Sequence, residues 1–179
     1  MESRLSEDFI KSCGPQFFAH LLRRVSDQIV RGEEIWLSET GGVTPPRTVS
    51  TLYALDRFGP LGVTQIASLL RQSHPMAITW ARQLTSRGLV EARVDSGDRR
   101  RTVLSLTRKG KKELARVKRE GQIIIAAQAE LFAQARADIY DALWRIEEAL
   151  REKPFAERLR ETAQKGGGGP STQDPGSVD

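Results

Sequence analysis

Residues 64–106 read TQIASLLRQSHPMAITWARQLTSRGLVEARVDSGDRRRTVLSL, and the spacing of their apolar residues changes character partway along. From Thr64 to Leu70, Ile66, Ala67, Leu69 and Leu70 recur at helical spacing, with Thr64 placed to cap. Arg71-Gln72 makes a turn. Ser73 or His74 can cap a second helix, with Pro75 in its first turn, where a missing N–H costs nothing. Ala77, Trp80, Ala81 and Leu84 line one face of that helix through Arg87, and Gly88 ends it. Two helices joined by a turn of three to four residues form a helix-turn-helix unit. Beyond it, Leu89–Val94 and Thr102–Leu106 alternate as strands do. Between them lies the polar, arginine-loaded hairpin loop Asp95-Ser96-Gly97-Asp98-Arg99-Arg100.

The flanks read as helices. Phe9, Phe17, Phe18, Leu21, Leu22, Val25, Ile29 and Val30 predict an amphipathic helix over 8–31, with a possible start at Pro15 and a stop at Gly32. Residues 38–46 are a loop by their turn residues. Val49, Leu52, Tyr53, Leu55 and Phe58 predict a short helix ending at Gly59-Pro60. After the second strand, Thr107 caps a long helix through about Ala133. A final helix covers roughly Ala135 to Glu152, with Pro154 after it. From Gly166 the composition is that of a flexible tail. The predicted fold class is mainly α with a small β-hairpin wing: a winged helix-turn-helix core over about 47–107, with flanking helices over about 8–31 and 108–160, all in one domain, 1–165.

Composition narrows the function. The 179 residues carry 28 Lys/Arg and 23 Asp/Glu, a net charge of +5. Fourteen of the basic residues and only four of the acids fall between Arg71 and Arg119, so that segment is +10 and the remainder −5. Such gathering of positive charge suits a polyanionic partner. No run of about 18 apolar residues exists, and the first residues lack the pattern of a signal peptide, so a cytoplasmic protein without a membrane partner is expected. One cysteine, Cys13, leaves no intrachain disulfide and no cysteine-based metal cluster. Cys13, His20 and His74 form no recognisable catalytic spacing, and no glycine-rich phosphate loop precedes a helix. No enzymatic activity, cofactor or metal is expected.

A helix fits the major groove of duplex DNA, where each base pair displays its own donor and acceptor pattern. On the outward face of the second helix, Ser73, His74, Met76, Thr79, Arg82 and Gln83 are candidate base readers. Thr64, Gln65 and Ser73, at helix amino ends, are candidates for phosphate contacts. The hairpin tip, with Arg99, Arg100 and Arg101, can enter a minor groove, where negative potential favours arginine.

The order of elements resembles the MarR family of transcriptional regulators, and local motifs add to it. Leu84-Thr85-Ser86-Arg87-Gly88-Leu89-Val90 looks like the family's exit from its recognition helix. Asp98-Arg99-Arg100, followed by Leu106-Thr107, looks like its wing signature. The resemblance spans about Phe9 to Glu152. It implies a homodimer that reads a pseudo-palindromic operator in double-stranded DNA, more often as a repressor, with Arg100 in the minor groove and Asp98 orienting it. It also implies a small, frequently aromatic effector, for which His20, Trp36 and Tyr53 are candidates. The sequence departs from the family at Ile78-Thr79, where a threonine and a basic residue are common, and at Gly97, where a cation is common. Two alternatives stay open: redox sensing through Cys13, and a protein-interaction winged helix that does not bind DNA.

Overall fold

The computed structural model describes residues 8–94, 97 and 102–166. Its helices are α1 (Phe9–Ser12), α2 (Phe18–Glu39), α3 (Val49–Phe58), α4 (Val63–Leu69), α5 (His74–Ser86), α6 (Arg108–Ala135), α7 (Ile139–Glu152) and α8 (Phe155–Gly166). Strands β1 (Val90–Val94) and β2 (Thr102–Leu106) form an antiparallel hairpin between α5 and α6. The fold is a winged helix, mainly α with one small sheet. The chain divides into two compact units at Ile123, within α6.

In the first unit, α3, α4, α5, the hairpin and the start of α6 surround one core. Leu52 and Leu55 of α3, Ile66 of α4 and Ala81 and Leu84 of α5 meet Leu89, Val90, Leu104 and Leu114, all buried. The hairpin pairs Val90 with Leu106 and Ala92 with Leu104, so these four share a face, and Glu91, Arg93, Val103 and Ser105 take the other. A third segment joins the sheet: the Leu61 N–H donates to the Leu104 carbonyl at 3.1 Å, and the Leu104 N–H donates to Leu61 at 2.8 Å.

The junction of α5, the hairpin and α6 is tight. The Thr107 N–H donates to the Leu89 carbonyl at 3.1 Å, and its hydroxyl donates to Gly88 at 2.7 Å. That hydroxyl accepts from the Gly110 N–H at 2.9 Å, the expected cap. Gly110 itself lies against Leu89: a Cβ there would come within 2.9 Å of the Leu89 carbonyl carbon and closer still to its oxygen.

A second anchor holds the loop before α3. Glu113 of α6 is buried, and its Oε1 accepts from the backbone N–H groups of Val43 (2.9 Å) and Thr44 (3.2 Å) and from the Thr44 hydroxyl (3.0 Å). Arg116 closes on both oxygens, at 2.6 and 3.1 Å, and reaches Glu120 at 2.5 Å. Burial alone would raise the Glu113 pKa. The hydrogen bonds from Arg116, Val43 and Thr44 outweigh it and hold the carboxyl down at about 2. Gly42 gives the guanidinium room, since a side chain there would collide with Arg116 and Leu37.

Several elements differ from the sequence expectation. Gly32 does not stop the first long helix, which runs through it to Glu39. One interior glycine costs about 1 kcal/mol, and the apolar stripe continues through Ile35, Trp36 and Leu37. The stop is Gly41, at φ +74, with the Gly42 N–H returning to the Leu37 carbonyl at 2.7 Å. Thr64 does not cap α4; Gly62 stands at that position, its N–H donating to the Gln65 side chain at 2.9 Å. The first strand begins at Val90, because the Leu89 carbonyl is taken by Thr107. The final predicted helix starts at Ile139, after Arg136 at φ +52 breaks the backbone and Asp138 caps. Pro154 does not close the helical region but precedes α8, which the periodicity reading ended short of. Residues 167–179, read as tail, lie outside the described residues.

In the second unit, α7 and α8 are joined by Arg158, which donates to the carbonyls of Ala149 (2.7 Å) and Lys153 (3.1 Å), and by the Lys153–Glu161 ion pair. Among the described residues, no helix is long and apolar enough to cross a membrane.

Two outcomes follow from the anchors. Gly110→Ala is expected to lower unfolding free energy by about 3 kcal/mol in urea titrations; an unchanged midpoint would mean that α6 moves off Leu89 freely. A folded carboxyl near 2, against the ordinary 4.5, makes the native state the weaker proton binder. The stability that Glu113 contributes is therefore complete above about pH 5 and lost as pH falls toward 2. Glu113→Gln should lower stability at pH 7 and flatten that acid limb; a limb of undiminished steepness would assign it to other carboxylates.

Candidate nucleic-acid interface

The exposed face of α5 is built by its own packing. Ala77, Ala81 and Leu84 are buried, which turns His74, Met76, Thr79, Arg82 and Gln83 outward, all exposed. Trp80 sits half-buried on the inner side, as its spacing predicts. Ser73 is the N-cap: its Oγ accepts from the Met76 N–H at 3.4 Å, with Pro75 in the first turn. The Thr79 hydroxyl donates back to the Pro75 carbonyl at 3.0 Å. Arg82 has no hydrogen-bond or ion-pair partner among the described residues, whereas Arg87 folds back onto the Gln83 carbonyl at 3.2 Å.

The turn between α4 and α5 sets the relative placement of the two helices. Arg71 takes a left-handed conformation at φ +51, and the N–H of Gln72 donates to the Ala67 carbonyl at 2.9 Å. Thr64 and Gln65 are exposed in the first turn of α4. Thus Thr64, Gln65, Ser73, His74, Met76, Thr79, Arg82 and Gln83 all lie at the surface of one helix-turn-helix unit. The hairpin candidates Asp98, Arg99, Arg100 and Arg101 lie outside the described residues.

The fold also reveals partners that the sequence reading passed over. Lys109 Nζ donates to the Arg87 carbonyl at 2.7 Å, tying the end of α5 to the start of α6. The Thr-x-x-Gly spacing after β2 was the available signal, since it joins a cap to a close approach. Arg93 on β1 pairs with Glu91 at 2.5 Å, two residues along one strand face.

The effector and redox candidates are dispersed. Tyr53 is exposed, with Lys118 Nζ 5.6 Å from its ring centre, and lines a surface groove with Phe58, Leu69 and Leu70 that includes neither His20 nor Trp36. His20 and Trp36 are half-buried on α2, and the Trp36 Nε1 is buried without a hydrogen-bond partner. Cys13 is a half-buried free thiol closing α1.

Solved structures share this fold. The transcriptional repressor CouR of Rhodococcus jostii RHA1, determined on a 23-mer DNA duplex, aligns with a TM-score of 0.62 at 24% identity, over 82% of this chain and 99% of its own. MepR of S. aureus, determined as a DNA complex, gives 0.56 at 20% identity, over 75% and 95%. A MarR-family transcriptional regulator from Rhodococcus sp. RHA1 gives 0.54 at 19% identity, over 83% and 99%. No protein-family model matches the sequence, and no curated protein does. At these identities the likeness is one of fold: the chain has the winged-helix α+β architecture of these regulators.

Proposed function

We propose that this chain is a sequence-specific, double-stranded-DNA-binding transcriptional regulator of the MarR type, acting as a homodimer and most simply as a repressor. The observation that carries this reading is the outward face of α5. It sets His74, Met76, Thr79, Arg82 and Gln83 together in a fold shared with two regulators solved on DNA. Side chains of that mixed kind read base edges in a major groove, while Thr64, Gln65 and the Ser73 end of α5 supply backbone-positioning contacts. Arg100, oriented by Asp98 and flanked by Arg99 and Arg101, enters the adjoining minor groove. This is a binding function, without bond-making chemistry.

Apolar surface supports self-association. Phe17, Phe18, Leu21, Leu22 and Val25 are exposed around α2, as are Tyr140, Trp144, Phe155 and Leu159 in the second unit. So many large apolar side chains left in water on each unit favour a partner that covers them. Two copies related by a two-fold axis would place two α5 helices on half-sites roughly 34–36 Å apart. Release by a small aromatic effector, through His20, Trp36 or Tyr53, extends the same reading.

Selection from fragmented genomic duplexes against excess competitor is expected to recover one pseudo-palindromic site, with affinity falling steeply with salt. On that site Arg82→Ala should cost about 1–3 kcal/mol and relax preference at one base position; an equal loss on all duplexes would make Arg82 a phosphate contact. No enriched site would favour the protein-interaction alternative. Sedimentation equilibrium at micromolar concentration should give twice the 20.0 kDa chain mass; a monomer at that concentration would end the dimer argument.

A further inference from the structure

A polar cleft of about 420 Å³ opens where the end of α3, the hairpin and the first turns of α6 converge. It shares no lining residue with the exposed face of α5. Its apolar wall is Leu55, Pro60 and Leu106, and its polar groups are Asp56, Arg93, Ser105 and Lys111. Charge around it does not balance. Asp56 is closed by Lys118 at 2.6 Å, and Arg93 is paired with Glu91 at 2.5 Å. Lys111 has no acidic partner among the described residues, so the cleft carries one surplus positive charge. The Ser105 hydroxyl is buried in its wall with no hydrogen-bond partner. Buried polar groups are seldom left in that state without something to bind.

We infer that this cleft binds a small phosphate monoester. Three donor-bearing side chains line it from three elements: Arg93 on β1, Ser105 on β2 and Lys111 on α6. Three donor side chains around one cleft suit the three terminal oxygens of a tetrahedral phosphate better than the two of a planar carboxylate. Arg93 keeps N–H groups beyond those turned to Glu91, because a guanidinium has five. The single surplus charge matches an anionic head, and Leu55, Pro60 and Leu106 give the ester's organic part an apolar seat. A turn of the Ser105 side chain about its Cα–Cβ bond exposes its hydroxyl to the ligand. Because both strands of the hairpin contribute, an occupied cleft braces β1, β2 and α6 against one another. The inference is independent of the DNA reading, and its test uses no DNA.

The test is titration of the full chain with phenyl phosphate, inorganic phosphate and benzoate, followed by amide NMR shifts and calorimetry. Phenyl phosphate is expected to shift Arg93, Ser105 and Lys111, and to bind at least ten-fold more tightly than either inorganic phosphate or benzoate. Lys111→Gln and Arg93→Gln should each weaken it roughly ten-fold or more, while Lys112→Gln, next in sequence but not lining the cleft, should leave it unchanged. Equal weakening by Lys112→Gln would mean diffuse attraction to a basic surface and would overturn the site. Benzoate binding as tightly as phenyl phosphate would overturn the phosphate assignment, and absence of shifts at all three residues would overturn both.

Discussion

The carbonyl of Leu89 is the point on which the winged unit depends. It follows the glycine that ends α5, precedes the first strand, and accepts from the residue that opens α6. The Thr107 hydroxyl bridges Gly88 and the Gly110 N–H, so three elements meet through one side chain. Gly110 lets α6 come close enough for this, and Lys109 adds a bond to the Arg87 carbonyl from the same turn. The orientation of α5 relative to the hairpin is thereby set by short, directional contacts rather than by apolar packing alone. Hydrogen bonds weaken steeply with distance and misalignment, so these contacts hold the junction more narrowly than apolar packing would.

The basic segment looks different once its partners are counted. Arg116 is turned inward onto Glu113 and Glu120, Lys118 onto Asp56, and Arg93 onto Glu91. Lys109 and Arg87 are spent on backbone carbonyls. Part of the positive charge that composition assigns to a polyanionic partner is therefore structural, the Glu113 cluster above all. Arg82 on α5 and Lys111 on α6 are among those left to meet something else. Net charge per segment does not separate an anchoring cation from an available one; the hydrogen-bond and ion-pair partners of each cation do.

What the sequence disclosed follows the reach of its local rules. The helix-turn-helix, the hairpin and the Thr107 cap were legible because periodicity, Pro75 and Gly88 act within a few residues of where they stand. The inward face of α5 came with them, since Ala77, Ala81 and Leu84 repeat at helical spacing. Gly32 misled because its propensity cost is small beside a stripe that resumes at Ile35. Arg71 at φ +51 and the Gly62–Gln65 cap carried no residue preference strong enough to notice. Leu61 was unreadable as a strand: one residue between Pro60 and Gly62 has no period, and its bond to Leu104 is a tertiary event. Glu113 likewise reads as one acid in a basic helix until Val43 and Thr44 are brought to it.

The Leu61 bridge also decides what the hairpin can present. A strand that slips by one residue exchanges its faces, which in β1 would turn Glu91 toward the core and Val90, now buried, toward the surface. A two-stranded hairpin alone holds register weakly. Leu61 fixes β2 from its free edge by two backbone bonds to Leu104, and Thr107 fixes the other end of the strand through Leu89. With β2 pinned at both points, the pairing of Val90 with Leu106 holds β1 to the same register. The apolar face then completes the core beneath α5, and Arg93 and Ser105 are kept beside Lys111. The same few backbone bonds thus hold both the seat of α5 on the hairpin and the lining of the polar cleft.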